Sequence, residues 1–366
     1  VNKDLKIYRI PHHTDEWFEF RKNGIGGSEV GTVLGINRYD TNVRLFHEKI
    51  GTIESRRETS ERMFWGLQLE DQIADIWSFY DGTKDGYVKN AINNTIIRKC
   101  RPVNAYIVNP KYPWLFASVD RLINIQGGFN LITGEPLETE AILECKAMSY
   151  WVNRMWDDGI PISYLAQIHQ YMAILETDYA EIPILVDSGD FVVEKVMRDD
   201  KLVERILDIT NDFWHNRVVP AREARERRDI SEVKGIIADY EKEDTIIQGL
   251  EPTPDTSEAY KDFMEENFEK ERETIDGTMD LYSQAKRDNY LKKMRSRIEQ
   301  ERTGIKNMFI RFLSQNGAVA VDFGRLGMVS WSERKGSQNR TFNNRTKESP
   351  EDDFIEEEFR KLNLTA

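Results

Sequence analysis

The pattern of apolar and polar positions divides the chain in two. From residue 7 to about residue 219, apolar residues fall in short runs at helical and strand spacing, which predicts a mixed α/β fold. In "DEWFEFRKNG", Trp17, Phe18 and Phe20 keep a helical spacing and Gly24 is a stop signal. "GIGGSEVGTVLG" reads as a glycine turn that feeds a short apolar helix. "SERMFWGLQLEDQIADIWSFYDG" predicts a long helix, with Ser60 as its N-cap and Phe64, Leu67, Ile73, Ile76 and Trp77 as its apolar stripe. Strands are expected at "GYVKNAI", "TIIRKC" and "LFASVDRLINI", followed by a hairpin excursion over residues 124–140 and another strand at "AILECKAM". "PISYLAQIHQYMAILET" predicts a helix opened by Pro161, "YAEIPILV" a strand, and residues 201–218 an amphipathic helix.

After Pro220 the pattern changes. Charged segments lead to "EPTPDT", which reads as a linker, and charged helices then dominate residues 257–313. Their sparse apolar marks, Leu281, Tyr290, Leu291, Met294 and Ile298, suggest a helical hairpin or short coiled coil. Residues 317–345 offer one or two small strand pairs, and an acidic tail follows. The expected organisation is a domain at residues 1–220 and a charged helical extension with a small β segment at residues 221–366.

Composition narrows the possibilities. Of 366 residues, 39% are hydrophobic and 8 are Trp, enough for a sizeable core, while the 31% charged fraction calls for solvated helices besides it. Two cysteines, Cys100 and Cys145, exclude a disulfide framework and fit a reducing compartment. No stretch approaches a membrane span and the first residues do not resemble a signal peptide, so a soluble, cytoplasmic protein is expected. A net charge of −13 argues against a protein that coats nucleic acid. It is compatible with an enzyme that handles DNA in a local basic groove around an acidic metal site.

The candidate chemistry starts at "LECK". Glu144 and Lys146 stand two apart, so on a strand both point to one face, and Ala141, Ile142 and Leu143 lead that strand into a core. A surface ion pair is one reading. Asp120, which closes the strand "FASVD", supports another, in which Asp120 and Glu144 share a divalent cation with the main-chain carbonyl of Cys145. Such hard oxygen donors suit Mg²⁺ or Mn²⁺. Lys146 would then stabilise charge at an attacked phosphate. Gln167 and Tyr171, four apart, share a helix face and need a polar partner such as a metal-bound water or phosphate. His169 lies on another face and reads as structural. In "RKNGIGGSEVG", Gly26 and Gly27 permit close approach of an anion to helix-start amides, with the Ser28 hydroxyl and the Arg21 guanidinium beside them. The same stretch also reads as a tight turn between helices.

Asp120…Glu144-x-Lys146 resembles the signature of the restriction-endonuclease-like PD-(D/E)xK nucleases. Together, "WFEFRKNGIGGSE", "FWGLQLED", "FASVD", "LECK" and "YLAQIHQYM" resemble the YqaJ-type viral recombinase family, the family of phage lambda exonuclease, over roughly residues 15–219. The resemblance implies a core with a mixed central sheet flanked by helices. It also implies a nuclease that resects duplex DNA ends 5′→3′ with two Mg²⁺ ions, leaving a 3′ strand for a single-strand annealing protein. By the same resemblance Asp120 and Glu144 are metal ligands, Lys146 is the catalytic lysine and Glu70 supports the metal site from its helix. Gln167 and Tyr171 match the family's Q-x-x-x-Y helix, and Arg21 and Ser28 match residues that hold a 5′-terminal phosphate. A ring of three subunits, and a phage or prophage protein in a bacterial host, are implied too. The longer interval between Asp120 and Glu144 and everything after Pro220 depart from the compact members. Two alternatives remain: an endonuclease of the same fold, and a DNA-end-binding recombination module with a weak site.

Overall fold

The computed structural model describes residues 4–11, 14–55, 61–83, 85–153, 156, 159–187, 189–234, 237–267, 277–323, 327–333 and 340–346. The chain forms two compact units, Val1–Lys270 and Glu271–Ala366.

The first unit opens with β1 (Lys6–Tyr8), α1 (Asp15–Lys22), β2 (Ile25–Gly26), α2 (Gly27–Val33) and α3 (Asn42–Ile50). The Thr14 side chain caps α1 by accepting the Trp17 N–H, and Gly51, at φ 78°, ends α3 in the left-handed conformation that favours glycine. Next come α4 (Glu61–Ser78), α5 (Gly86–Ile92), β3 (Cys100–Pro102), β4 (Tyr106–Val108), β5 (Leu115–Phe116), β6 (Arg121–Ile123), β7 (Ala141–Leu143) and β8 (Lys146–Met148). After α6 (Tyr150–Asn153), helix α7 (Ile162–Leu175) leads to the hairpin of β9 (Tyr179–Val186) and β10 (Asp190–Met197). One helical rod then runs through α8 (Asp200–Asn211), a π-helical turn at Asp212–Val218 and α9 (Val219–Lys234), before α10 (Ile237–Leu250) and α11 (Glu258–Asn267).

The central sheet is mixed, in the order β10-β9-β7-β6-β3. β9 runs antiparallel to β10 but parallel to β7 and β8, which are two halves of one interrupted strand. β6 is antiparallel to β7 and β3. Helix α7 covers one side of the sheet, where Ile168, Met172 and Ile174 join Ile142, Ile182 and Ile184 in the core. Helix α4 covers the other, where Ile73, Ala74 and Trp77 meet Ile123, Leu143 and Tyr179. The expected helix-flanked mixed sheet is what the chain forms.

Several local expectations change. "GYVKNAI" is helix α5 rather than a strand, and no residue of it is buried. A helix satisfies its backbone internally, whereas a strand needs a neighbour to pair with. In "TIIRKC" the strand begins only at Cys100, because the Ile97 and Arg98 N–H groups bond the Ser78 carbonyl at the end of α4. "LFASVDRLINI" is two strands: β5 pairs with β2 and β6 with β3 and β7, so the chain changes neighbours just before Asp120. On α4, Phe64 and Leu67 are half-exposed, and burial is confined to Ile73, Ala74 and Trp77 further along. The expected N-cap Ser60 lies outside the described residues.

The residues after Pro220 also differ from an appended extension. Ala221 and Ala224 are fully buried in the main core. Arg222 donates to the Lys49 carbonyl (2.7 and 2.9 Å) and Arg225 to the Ile50 carbonyl (2.5 Å), closing the C-terminal end of α3. The expected linker is pinned to the start of the same helix, where Asp255 accepts the Asn42 N–H (3.1 Å).

The second unit contains α12 (Met279–Gln315) and a three-stranded antiparallel sheet of β11 (Ala320–Asp322), β12 (Gly327–Glu333) and β13 (Arg340–Thr346). Leu281, Tyr290, Leu291 and Ile298 are exposed on α12, and Leu313 is buried near its end. Among the described residues no helix is long and apolar enough to cross a membrane.

Candidate active site

The interruption between β7 and β8 creates the site. Glu144 still donates its N–H to the Glu181 carbonyl of β9 (3.0 Å), but the Cys145 N–H leaves the sheet and donates to Asp120 Oδ2 (2.8 Å). One carboxylate thereby replaces a ladder partner and brings Asp120 against the Glu144–Cys145 step. Lys146 resumes the strand and donates its Nζ to Glu144 Oε1 (2.8 Å). The two charges thus meet as the period-two spacing implies, although a break and not a continuous strand lies between them.

Helix α7 supplies the next layer. Gln167 Nε2 donates to Glu144 Oε1 (2.9 Å) and to the Tyr171 hydroxyl (3.1 Å). Their spacing of four places both on the face that looks at Glu144. Gln170, fully buried, donates to the carbonyls of Ile25 (3.0 Å) and Phe116 (3.3 Å), which fastens α7 to β2 and β5. Gln170 carries little signal in the sequence. It is an amide at the head of the otherwise apolar run "QYMAIL". His169 is structural, bonded to the Leu165 carbonyl (2.7 Å) and the Asp199 N–H (3.0 Å).

Charge is concentrated here. Burial, and then the Glu144 carboxylate, push the Asp120 carboxyl well above its ordinary range, against the pull of Lys146. Glu70 on α4 is half-buried, and its carboxyl is raised by burial and by Glu144, with Arg121 opposing. Lys146 is held above its ordinary value: burial lowers it, but Glu144 and Asp120 outweigh that, so the ammonium stays protonated. Arg121, directly after Asp120, was not singled out from the sequence. It pairs with Asp71, whose side chain is 85% exposed, and offsets Glu70.

Glu144 has one oxygen engaged twice, while its Oε2 is buried without a hydrogen-bond partner. A buried carboxylate oxygen of this kind is available to a cation. Asp120, Glu144 and the Cys145 main-chain carbonyl are hard oxygen donors that fit Mg²⁺ or Mn²⁺, with Glu70 in Coulombic reach. Among the described residues no three His, Cys, Asp or Glu side chains form a ready-made metal cage. Burial and the nearby carboxylates raise the Cys145 thiol far above its ordinary value, which leaves the carbonyl as the donor at that position.

The glycine turn meets the site through Gly27. A Cβ there would lie 2.3 Å from the Tyr171 ring, so only glycine lets α2 start against α7. A cavity of about 370 Å³ opens beside it, lined by Gly27, Ser28, Arg38, Tyr39, Ser163 and Gln167 among others. Ser28 is exposed at this cavity. Arg21 does not line it: its Nη2 pairs with Glu29 Oε1 (2.7 Å). Glu29 also accepts the Gly26 N–H (2.8 Å) and Lys49 Nζ (2.8 Å), so the Gly26 amide is already engaged. The turn is therefore a braced helix junction on the Arg21 side, and only Gly27 and Ser28 of the expected anion-binding group line the cavity.

Residues 16–180 match the family model of the YqaJ-like viral recombinase domain. The chain carries a YqaJ-like viral recombinase domain. Asp120, Glu144 and the whole of α7 fall inside the matched span. An uncharacterized YqaJ protein of Bacillus subtilis (strain 168) is 31% identical over 208 residues, 56% of this chain and 56% of that relative. Just over half of the relative's length is thus matched. Among solved structures, the chain is similar to an alkaline exonuclease from Laribacter hongkongensis, with a TM-score of 0.44 and 18% identity over 60% of this chain and 99% of that one. It is also similar to a phage-related exonuclease from Haemophilus somnus 129PT, with a TM-score of 0.32 and 12% identity over 51% of this chain and 90% of that one.

Proposed function

We propose that this YqaJ-domain protein is a divalent-metal-dependent DNA exonuclease of phage type. In this reading it removes nucleotides from 5′ ends of duplex DNA and leaves a 3′ strand for a single-strand annealing protein. The observation that carries the nuclease reading is Glu144, with Oε1 held by Lys146 and Gln167 and Oε2 buried and unpartnered beside Asp120.

Asp120, Glu144 and the Cys145 carbonyl would hold Mg²⁺ or Mn²⁺, which would supply Lewis-acid charge for phosphodiester hydrolysis. The chain's own residues do the rest. Lys146 remains an ammonium and stabilises negative charge as it develops on the scissile phosphate. Gln167, braced by Tyr171, holds the Glu144 carboxylate in one orientation. Gln167 lines the cavity at Gly27 and Ser28 and donates to Glu144, so an end nucleotide seated there would be one side chain away from that carboxylate. That adjacency supports exonuclease action over internal cutting.

The test is a linear duplex labelled at either end and incubated with Mg²⁺. Expected are shortening from the 5′ ends, faster digestion of 5′-phosphate than 5′-hydroxyl ends, and resistance of covalently closed circles. Ser28→Ala should shrink the phosphate preference. Rapid cutting of closed circles would favour the endonuclease reading instead.

A further inference from the structure

A second buried charge pair lies behind the site and plays no part in the chemistry above. Glu181 of β9 and Arg98 are both wholly excluded from water. Arg98 Nη1 donates to Glu181 Oε1 (2.6 Å) and Nη2 to Oε2 (2.9 Å). Trp77 Nε1 donates to Oε2 (2.7 Å) and the Tyr179 hydroxyl to Oε1 (3.0 Å). Each carboxylate oxygen therefore accepts twice, and the guanidinium lies over the Trp77 ring (4.3 Å) and against Phe129 (5.0 Å).

A buried ion pair is not needed for stability, because apolar residues of similar volume do as well. What distinguishes this one is the set of segments it fastens. Trp77 stands seven residues after Glu70 on α4, two turns along the same face. The Glu181 main-chain carbonyl accepts the Glu144 N–H (3.0 Å). The Tyr179 hydroxyl accepts the Leu131 N–H (3.0 Å), from the excursion that joins Asp120 to Glu144. Arg98 leads into β3, which pairs with β6 immediately after Asp120. One carboxylate is thus linked to every segment that brings an acid to the site.

We propose that Glu181, with Arg98 and Trp77, is a positioning residue that sets the spacing of Glu70, Asp120 and Glu144 for cation binding. The proposal rests on the metal-dependent nuclease reading. Partners of ligating carboxylates that lie outside the ligand set typically change metal affinity or activity about 10–100-fold when replaced.

Two variants of the full chain test it. Trp77→Phe removes one donor and keeps most of the ring volume, while Arg98→Met with Glu181→Leu replaces the pair by apolar side chains. The measurements are melting temperature, Mn²⁺ affinity by titration calorimetry without DNA, and kcat and KM on linear duplex. Expected for Trp77→Phe are a modest fall in melting temperature, about a tenfold weaker Mn²⁺ affinity and a lower kcat well below the melting temperature, with KM for duplex nearly unchanged. The apolar pair should show a larger loss of Mn²⁺ affinity in a folded protein. Wild-type Mn²⁺ affinity in both variants, or losses that follow melting temperature alone, would overturn the proposal. A wild-type chain that binds no Mn²⁺ would overturn the nuclease reading and this proposal together.

Discussion

Lys146 Nζ donates to Glu144 Oε1 across 2.8 Å, over the break where β7 gives way to β8. The ammonium satisfies one oxygen of a buried carboxylate and leaves the other, Oε2, unpartnered. In the proposed metal-dependent nuclease, a cation would complete this arrangement at Oε2.

Glu144→Gln and Asp120→Asn should each lower Mg²⁺-dependent nuclease activity by at least about 100-fold, by removing charge from the cation site. Asp120→Asn should also stabilise the metal-free protein. Burial and Glu144 disfavour the ionised Asp120 carboxyl in the fold, and an amide oxygen can still accept the Cys145 N–H. A gain of about 0.5–2 kcal/mol is expected, measured by denaturant unfolding in EDTA. A less stable, fully active Asp120→Asn protein would contradict both statements.

Glu29 gives the fold an acid-sensitive point. Burial alone would raise its carboxyl, but Arg21 and then Lys49 overcome that and bring it to about 2. A carboxylate depressed in the folded state contributes its full stability above the unfolded value, about 4.3, and loses it as pH falls towards 2. Wild type should therefore lose stability between about pH 5 and pH 2 on the order of 3 kcal/mol more steeply than Glu29→Gln. Acid titration of the two proteins at fixed denaturant checks this, and parallel curves would count against it.

Gly27→Ala should disrupt the site without changing its charges. The added methyl meets the Tyr171 ring at 2.3 Å, and moving that ring breaks its bond with Gln167. A stability loss of about 1–3 kcal/mol and a drop in activity are expected. Combining Gly27→Ala with Tyr171→Ala should cost less stability than the sum of the two single variants, without restoring activity. Thermal melts and nuclease assays on the single and double variants read both outcomes.

Residues 1–220 alone should fold poorly, whereas residues 1–270 should melt cooperatively. The shorter piece loses Ala221 and Ala224 from the main core and the Arg222 and Arg225 side chains that close α3. Protease resistance and melting curves of the two fragments distinguish them. A compact, resistant 1–220 fragment would show that α9 and α10 are dispensable.

The candidate site was legible in the sequence where its parts are local. Glu144 and Lys146 share a face through strand periodicity and Gln167 and Tyr171 through helical periodicity, and each relation is complete within a few residues. Period and local propensity likewise indicated α1, α7 and β9, whereas the helix-flanked mixed sheet followed from the family resemblance. Tertiary structure alone decided the rest, because those choices depend on neighbours distant in the chain. The strand around Asp120 divides because its halves pair with different strands, and "GYVKNAI" becomes a helix with no residue buried. Arg21 turns from the cavity to a buried Glu29, and Arg222 reaches back 173 residues to the Lys49 carbonyl. A charged side chain's role is set by whichever opposite charge or carbonyl the fold brings to it. Helix and strand periods carry no information about such a partner, since they record only which face a residue occupies.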